Sequence, residues 1–218
     1  MSINKTSYTR DTETFPGAEN FPVPADMAKK IARYVSNTFS PPIIAFTAAI
    51  ITAFAIDSES AWLWTFIYAG LAIVLPTIYI FTLVSRGVVS DFHLNRRKER
   101  TKPLIIISLN TALVLLILLI GGAPRLILIL MVTGIVQLLT LLAITLRWKI
   151  SGHCTAVAGL AIYAVALYGE LFLPLMLIVP LTAWSRIKLK RHTLAQTIAG
   201  ATLGITTVLV ILYATGTV

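Results

Sequence analysis

From about residue 40 onward the chain is a series of long apolar runs broken by short polar stretches. Seven such segments stand at 42–57, 62–84, 103–121, 125–146, 153–168, 171–184 and 193–215. Several approach or exceed the ~20 apolar residues that cross a ~30 Å hydrocarbon core. Runs such as 111–120 (TALVLLILLI) are apolar on every face, which suits helices and not the two-residue alternation of a membrane β-barrel. The pattern predicts an all-α, polytopic membrane helix bundle of about six to seven transmembrane helices. The fifth and sixth segments span only ~21–24 Å at ~1.5 Å per residue, so they form either two short crossings or one re-entrant hairpin. Gly169-Glu170 is the turn in both cases, and Pro174 and Pro180 are expected to kink the sixth segment.

The polar positions divide what precedes the bundle. Residues 1–24 show no apolar period and read as a flexible polar leader. Over 25–39, Met27, Ile31, Tyr34 and Val35 recur at helical spacing while Lys29, Lys30 and Arg33 take other faces. That predicts an interfacial amphipathic helix on an anionic membrane surface, ending before Pro41-Pro42. Three parts result: the leader 1–24, the interfacial helix 25–40 and the bundle 42–218. Composition agrees: 57% hydrophobic and 12% charged residues exclude a secreted domain, a cytosolic enzyme and a disordered tail. The leader lacks the apolar core of a secretory signal, and the single Cys154 permits no internal disulfide.

Charge sets the expected topology. With these crossings the leader and the loops at 85–102, 147–152 and 185–192 share one side, which carries all but Arg125 of the 18 lysines and arginines. The opposite side holds Arg125, Asp57, Glu59 and Glu170. Positive charge resists translocation, so the basic side and the N-terminus are predicted to be cytoplasmic. Trp62, Trp64, Trp148 and Trp184 fall near segment ends and read as interfacial anchors.

Three polar clusters gather on this basic side: Asn95 to Pro103, Lys149 to His153, and Ser185-Arg186 followed by Lys188, Lys190, Arg191 and His192. Each is expected to open a helix, whose unpaired N–H groups and positive dipole end favour an anion. Phosphate fits best, because guanidinium forks match its oxygens. Two of the three histidines in the chain, His153 and His192, lie in these clusters at one predicted depth. Asp91 and His93, just after the second segment, could order the loop or touch substrate, but read first as a solvated loop pair. No clustering of metal ligands is visible.

Ser151-Gly152-His153 resembles the second signature (Pro-Ser-Gly-His) of the type-2 phosphatidic acid phosphatase superfamily. Ser185-Arg186, five residues and His192 resemble the third (Ser-Arg-x5-His-x3-Asp). The likeness covers roughly residues 90–205. It implies a metal-independent lipid phosphatase without cofactors, in which His192 attacks phosphorus to form a phosphohistidine and His153 protonates the leaving alcohol. It also implies phosphate contacts from Arg97, Arg100, Lys102, Lys149, Ser151, Gly152 and Arg186. Three departures stand out. Ile150 replaces the proline; the first signature (Lys-x6-Arg-Pro) has Lys102-Pro103 but Asn95 where its lysine belongs, with Arg97 and Arg100 as substitute ligands; and Gln196 replaces the aspartate. Gln196, at i+4, can still accept the other ring N–H of His192, without adding charge.

Phosphatidate, a prenyl diphosphate or phosphatidylglycerophosphate are the implied substrates, with the tail entering beside the kinked sixth segment. Membrane lipids and a lipid phosphate are thus the expected partners, and nucleic acid is not among them. The alternative from another class is a non-catalytic lipid-phosphate-binding or scaffold protein that kept the anion pocket. A magnesium-dependent prenyltransferase needs paired Asp-rich motifs, for which only Asp91 is present.

Overall fold

The computed structural model describes residues 25–217; the leader expected at 1–24 lies outside them. The elements are helices: α1 Ala25–Thr38, α2 Pro41–Ile56, α3 Glu59–Tyr68, α4 Leu75–Ser85, α5 Arg97–Ile120, α6 Arg125–Thr145, α7 Gly152–Tyr168, α8 Ile178–Lys188 and α9 Leu194–Ala214. A π segment, Ala69–Val74, joins α3 to α4, and a 3₁₀ segment, Glu170–Leu177, leads into α8. Glu59–Ser85, Arg97–Ile120, Arg125–Thr145, Glu170–Lys188 and Leu194–Ala214 are long and apolar enough to cross a membrane, and α1 with α2, bent by 46°, makes a possible sixth span. The chain is an all-α polytopic membrane bundle.

Local chemistry explains the irregular places. The π segment runs up to Pro76, which lacks an N–H and whose ring collides with the carbonyl four residues back in a regular helix. Asn110 Nδ2 from α5 donates to the Leu71 carbonyl there at 2.9 Å, supplying a partner inside the bundle. Pro174 lies within the 3₁₀ segment, so the expected kink takes the form of a tighter helical turn followed by α8. Ser58 Oγ caps α3 by accepting the Ala61 N–H.

Helix α1 has three faces. Ala32, Val35 and Ser36 are buried, Met27, Ile31 and Tyr34 are exposed apolar groups, and Lys29, Lys30 and Arg33 are exposed cations. The buried stripe rests on α8, where Ser185 Oγ donates to the Ala32 carbonyl at 2.6 Å. Helix α7, 17 residues long, is the buried centre of the bundle. It can be short, at about 25 Å, because protein surrounds most of it. On one side α9 presents Gly200 and Gly204, one turn apart. A Cβ at Gly200 would lie 2.5 Å from the Ser151 carbonyl oxygen, and one at Gly204 would overlap the Thr155 carbonyl. Only glycine permits this approach, the small-residue packing that draws membrane helices together. On the α2 side, Thr52 Oγ1 and Tyr163 Oη share a 2.8 Å hydrogen bond.

Candidate functional site

The close α7/α9 pairing brings the two motif segments together. The Ser151 N–H donates to the Gln196 carbonyl at 3.2 Å, joining the loop before α7 to the first turn of α9. Ser151 Oγ caps α7 by accepting the Cys154 N–H at 3.4 Å, so this serine is buried and engaged, with Gly152 as the first helical residue.

Gln196 organises His192. Its Oε1 accepts the Thr193 N–H at 3.2 Å, in a capping box completed by Thr193 Oγ1 accepting the Gln196 N–H at 3.4 Å. The same oxygen lies 3.1 Å from His192 Nδ1. An oxygen already accepting a backbone N–H requires that Nδ1 carry the ring proton. His192 Nε2 therefore bears the lone pair, and it is buried without a partner. Burial, then the Arg186, Arg100 and Lys149 cations, push the imidazole down to about 3, against the upward pull of Gln196. It is a neutral base at physiological pH.

Arg186 is fully buried in the last turn of α8. Its Nη1 donates to Ser36 Oγ of α1 at 2.7 Å and its Nη2 to Asn95 Oδ1 at 3.2 Å, while Nε has no partner. Asn95 is fixed in turn by Asp91, whose carboxylate accepts Asn95 Nδ2–H at 2.8 Å and the His93 N–H at 2.9 Å. Arg100 is also buried, with Nε on the Leu94 carbonyl at 2.6 Å and Nη1 on the Ile150 carbonyl at 2.9 Å. Lys149 Nζ donates to the Arg191 carbonyl at 2.5 Å. Burial, then Arg100 and Arg186, lower this ammonium.

Other expected ligands stand elsewhere. Arg97 donates to the Leu146 carbonyl at 2.7 Å and to Thr145 at 3.3 Å, closing the C-terminus of α6 from an exposed position. Lys102 is exposed on α5. The basic cluster forms the first turns of α5, and Ser185-Arg186 ends α8 instead of opening a helix, so the third cluster spans the α8 end and the α9 start. What converges is two helix starts, α7 and α9, with buried arginines from α5 and α8.

His93, read first from the sequence as half of a solvated loop pair, stands at this end. Its ring lies 5.0 Å from that of His153, centroid to centroid, tilted by 34°. Burial, then Arg186 and Arg191, hold it down to about 4, with Asp91 opposing. The scarcity of histidine that marked the other two could have marked this one. Among the described residues, nine buried side-chain polar atoms lack a partner, and five belong to this end: Nε2 of His93, His153 and His192, Nε of Arg186 and Nη1 of Arg191. Buried polar groups are nearly always paired in folded proteins. No set of three or more His, Cys, Asp or Glu among the described residues is placed to hold a metal ion.

A cavity of about 310 Å³ opens beside this end, between α2, the π segment and α4, α5, α6 and α7. His93, Arg100 and His153 line it, and Thr111, Met131 and Gly134 lie among its other walls. No residue of α8 contributes, so the apolar space lies away from the sixth segment, beside which tail entry was expected. No family model, curated protein or solved structure matches this chain.

Proposed function

We propose that the protein is a membrane phosphatase or diphosphatase acting on a lipid phosphate through a phosphohistidine. The observation that carries this reading is His192, whose Nδ1 lies against the Gln196 amide oxygen at 3.1 Å and whose Nε2 is buried and unpartnered. It belongs to a group of buried arginines that reaches, through His153, an apolar cavity. Nε2 attacks phosphorus and the phosphoryl oxygens take the free N–H groups of Arg186 and Arg191. The P–O bond to the alcohol then breaks and its oxygen gains a proton from His153. Water, deprotonated by the now neutral His153, displaces phosphate from His192 and restores both rings. The apolar tail occupies the cavity between α2 and α6, and Arg100 supports its polar end.

The test is phosphate release from phosphatidate, a prenyl diphosphate and phosphatidylglycerophosphate in liposomes, with and without EDTA. Release that survives EDTA and disappears in His192→Ala, together with an acid-labile phosphoenzyme in wild type only, supports the reading. Binding without turnover on every lipid leaves the alternative, a lipid-phosphate-binding scaffold, which the uncharged Gln196 favours. We further propose that this end faces the cytoplasm, on the strength of the charge asymmetry. Lys188→Cys in a Cys154→Ser background should resist a membrane-impermeant thiol reagent on intact cells and react after lysis; labelling of intact cells reverses the orientation.

A further inference from the structure

His93 is the group at this end that the reaction above leaves unused, and its surroundings give it no structural task. The loop it belongs to is held by the Asp91 carboxylate, which takes the backbone N–H of His93 and of Asn95 and the Asn95 amide. The ring adds nothing to that hold: its Nε2 is buried and unpartnered. Keeping a polar atom dry and unpaired costs about 1–3 kcal/mol, so a ring that merely filled space there would be better replaced by an apolar one. The ring packs instead edge-on to Phe92, with centroids 5.6 Å apart, and broadside to His153 at 5.0 Å.

Position separates the three histidines. His93 and His153 both line the apolar cavity and His192 does not. If the tail occupies that cavity and the phosphoryl group lies toward His192, the bond that breaks sits between them, at the His93–His153 pair. Two imidazoles this close cannot both be charged, because the second proton meets the first. The pair therefore carries one positive charge at most, one proton beyond those of two neutral rings. Burial, then Arg186 and Arg191, disfavour even that, and a phosphoryl dianion among them opposes both cations, so the proton arrives with the substrate.

We propose that His93 is a catalytic residue on the leaving-group side of this site, sharing with His153 the single proton that passes to the departing alcohol oxygen. The inference rests on the phosphoryl-transfer reading. In the balanced step the P–O electron pair goes to the leaving oxygen, which takes the proton from the pair as His192 Nε2 bonds to phosphorus. The water that later cleaves the phosphohistidine returns a proton to the pair.

Loss of a general acid is felt where the leaving group needs a proton and is spared where it does not. Decyl phosphate and p-nitrophenyl phosphate differ in this way and are the two probes, used on the full chain in detergent. His93→Gln should lower kcat/KM on decyl phosphate about 100-fold, the scale of acid–base catalysis, and on p-nitrophenyl phosphate by less than about threefold. His93→Asn should do the same, and both variants should unfold at the wild-type temperature because Asp91 holds the loop. Equal losses on the two probes, or none on either, overturn the role of His93 while the phosphatase reading stands. A wild type that releases phosphate from neither probe nor from any lipid phosphate removes the reading and His93 with it.

Discussion

Helix α7 meets its neighbours in two opposite ways. Against α9 the backbones are in direct contact through Gly200 and Gly204, and this side carries the Ser151–Gln196 bond and sets His192 against its amide partner. Toward α2, α5 and α6 the first turns of the same helix border open space, and Gly134 of α6 has nothing within 4 Å of where a Cβ would stand. A helix lodged without slack on one side can hold two imidazoles in fixed relation, while the loose packing opposite admits a flexible chain. In a bilayer no hydrophobic force favours one helix neighbour over lipid, so close fit is what selects the rigid face.

The two glycines give the largest test of this contrast. Gly204→Leu drives a side chain into the Thr155 carbonyl of a buried helix, and overpacking there should cost about 3 kcal/mol or more in detergent unfolding. Gly134→Leu makes the same chemical change into the cavity and should leave the unfolding midpoint within about 2 °C of wild type or raise it. Equal destabilisation by the two would erase the distinction between the faces.

Next in size is an effect on substrate choice. Gly134→Leu fills part of the cavity shared by α5, α6 and α7, so kcat/KM for a long-chain lipid phosphate should fall about tenfold relative to a short-chain one, the scale of one or two lost methylene contacts. An unchanged chain-length profile would place the tail elsewhere.

Acid should produce the smallest effect. His192 and His93 are held to about 3 and about 4, below their ordinary 6.5. The unfolded chain therefore binds more protons than the folded one in the interval between. The associated stability is complete above about pH 6.5 and is lost as pH falls to about 4 for His93 and about 3 for His192. Melting temperatures measured in steps across that range should decline, and less steeply in His192→Gln than in His93→Gln, because His192 is the more depressed of the two. A flat profile would mean that these rings are not held neutral by the fold.

Much of this was legible in the linear pattern. Continuous apolar runs need helices whatever surrounds them, since lipid offers backbone groups no partners, and the segments at 62–84, 103–121 and 193–215 match Glu59–Ser85, Arg97–Ile120 and Leu194–Ala214, their ends shifted by at most a few residues. The three-residue likeness around His153 and the spacing from Ser185 to His192 pointed to segments that the fold brings to the same end of the bundle, joined by the Ser151–Gln196 bond. Gln196 does accept toward His192, though through the capping turn before α9 and not along a helix face, since His192 precedes the N-cap Thr193.

Other features depended on contacts between distant parts of the chain, which a local pattern does not carry. Arg97 and Arg100 look equivalent in sequence, yet one caps α6 from the surface and the other is buried against the carbonyls of Leu94 and Ile150. Which arginine turns inward follows from how α5 is rotated against α6 and α7. His93 read as a solvated loop residue until the fold brought it to the face of His153. Asn95, a departure in the first motif, proved to hold Arg186 together with Ser36 from α1, more than a hundred positions away along the chain. The sequence by itself determined the helices, their polar ends and the few residues able to do chemistry, because hydrophobic length and residue type act locally. Tertiary structure alone decided which of those residues meet and on which side of α7 space is left, because both follow from contacts between segments far apart in the chain, among them the close approach that Gly200 and Gly204 permit.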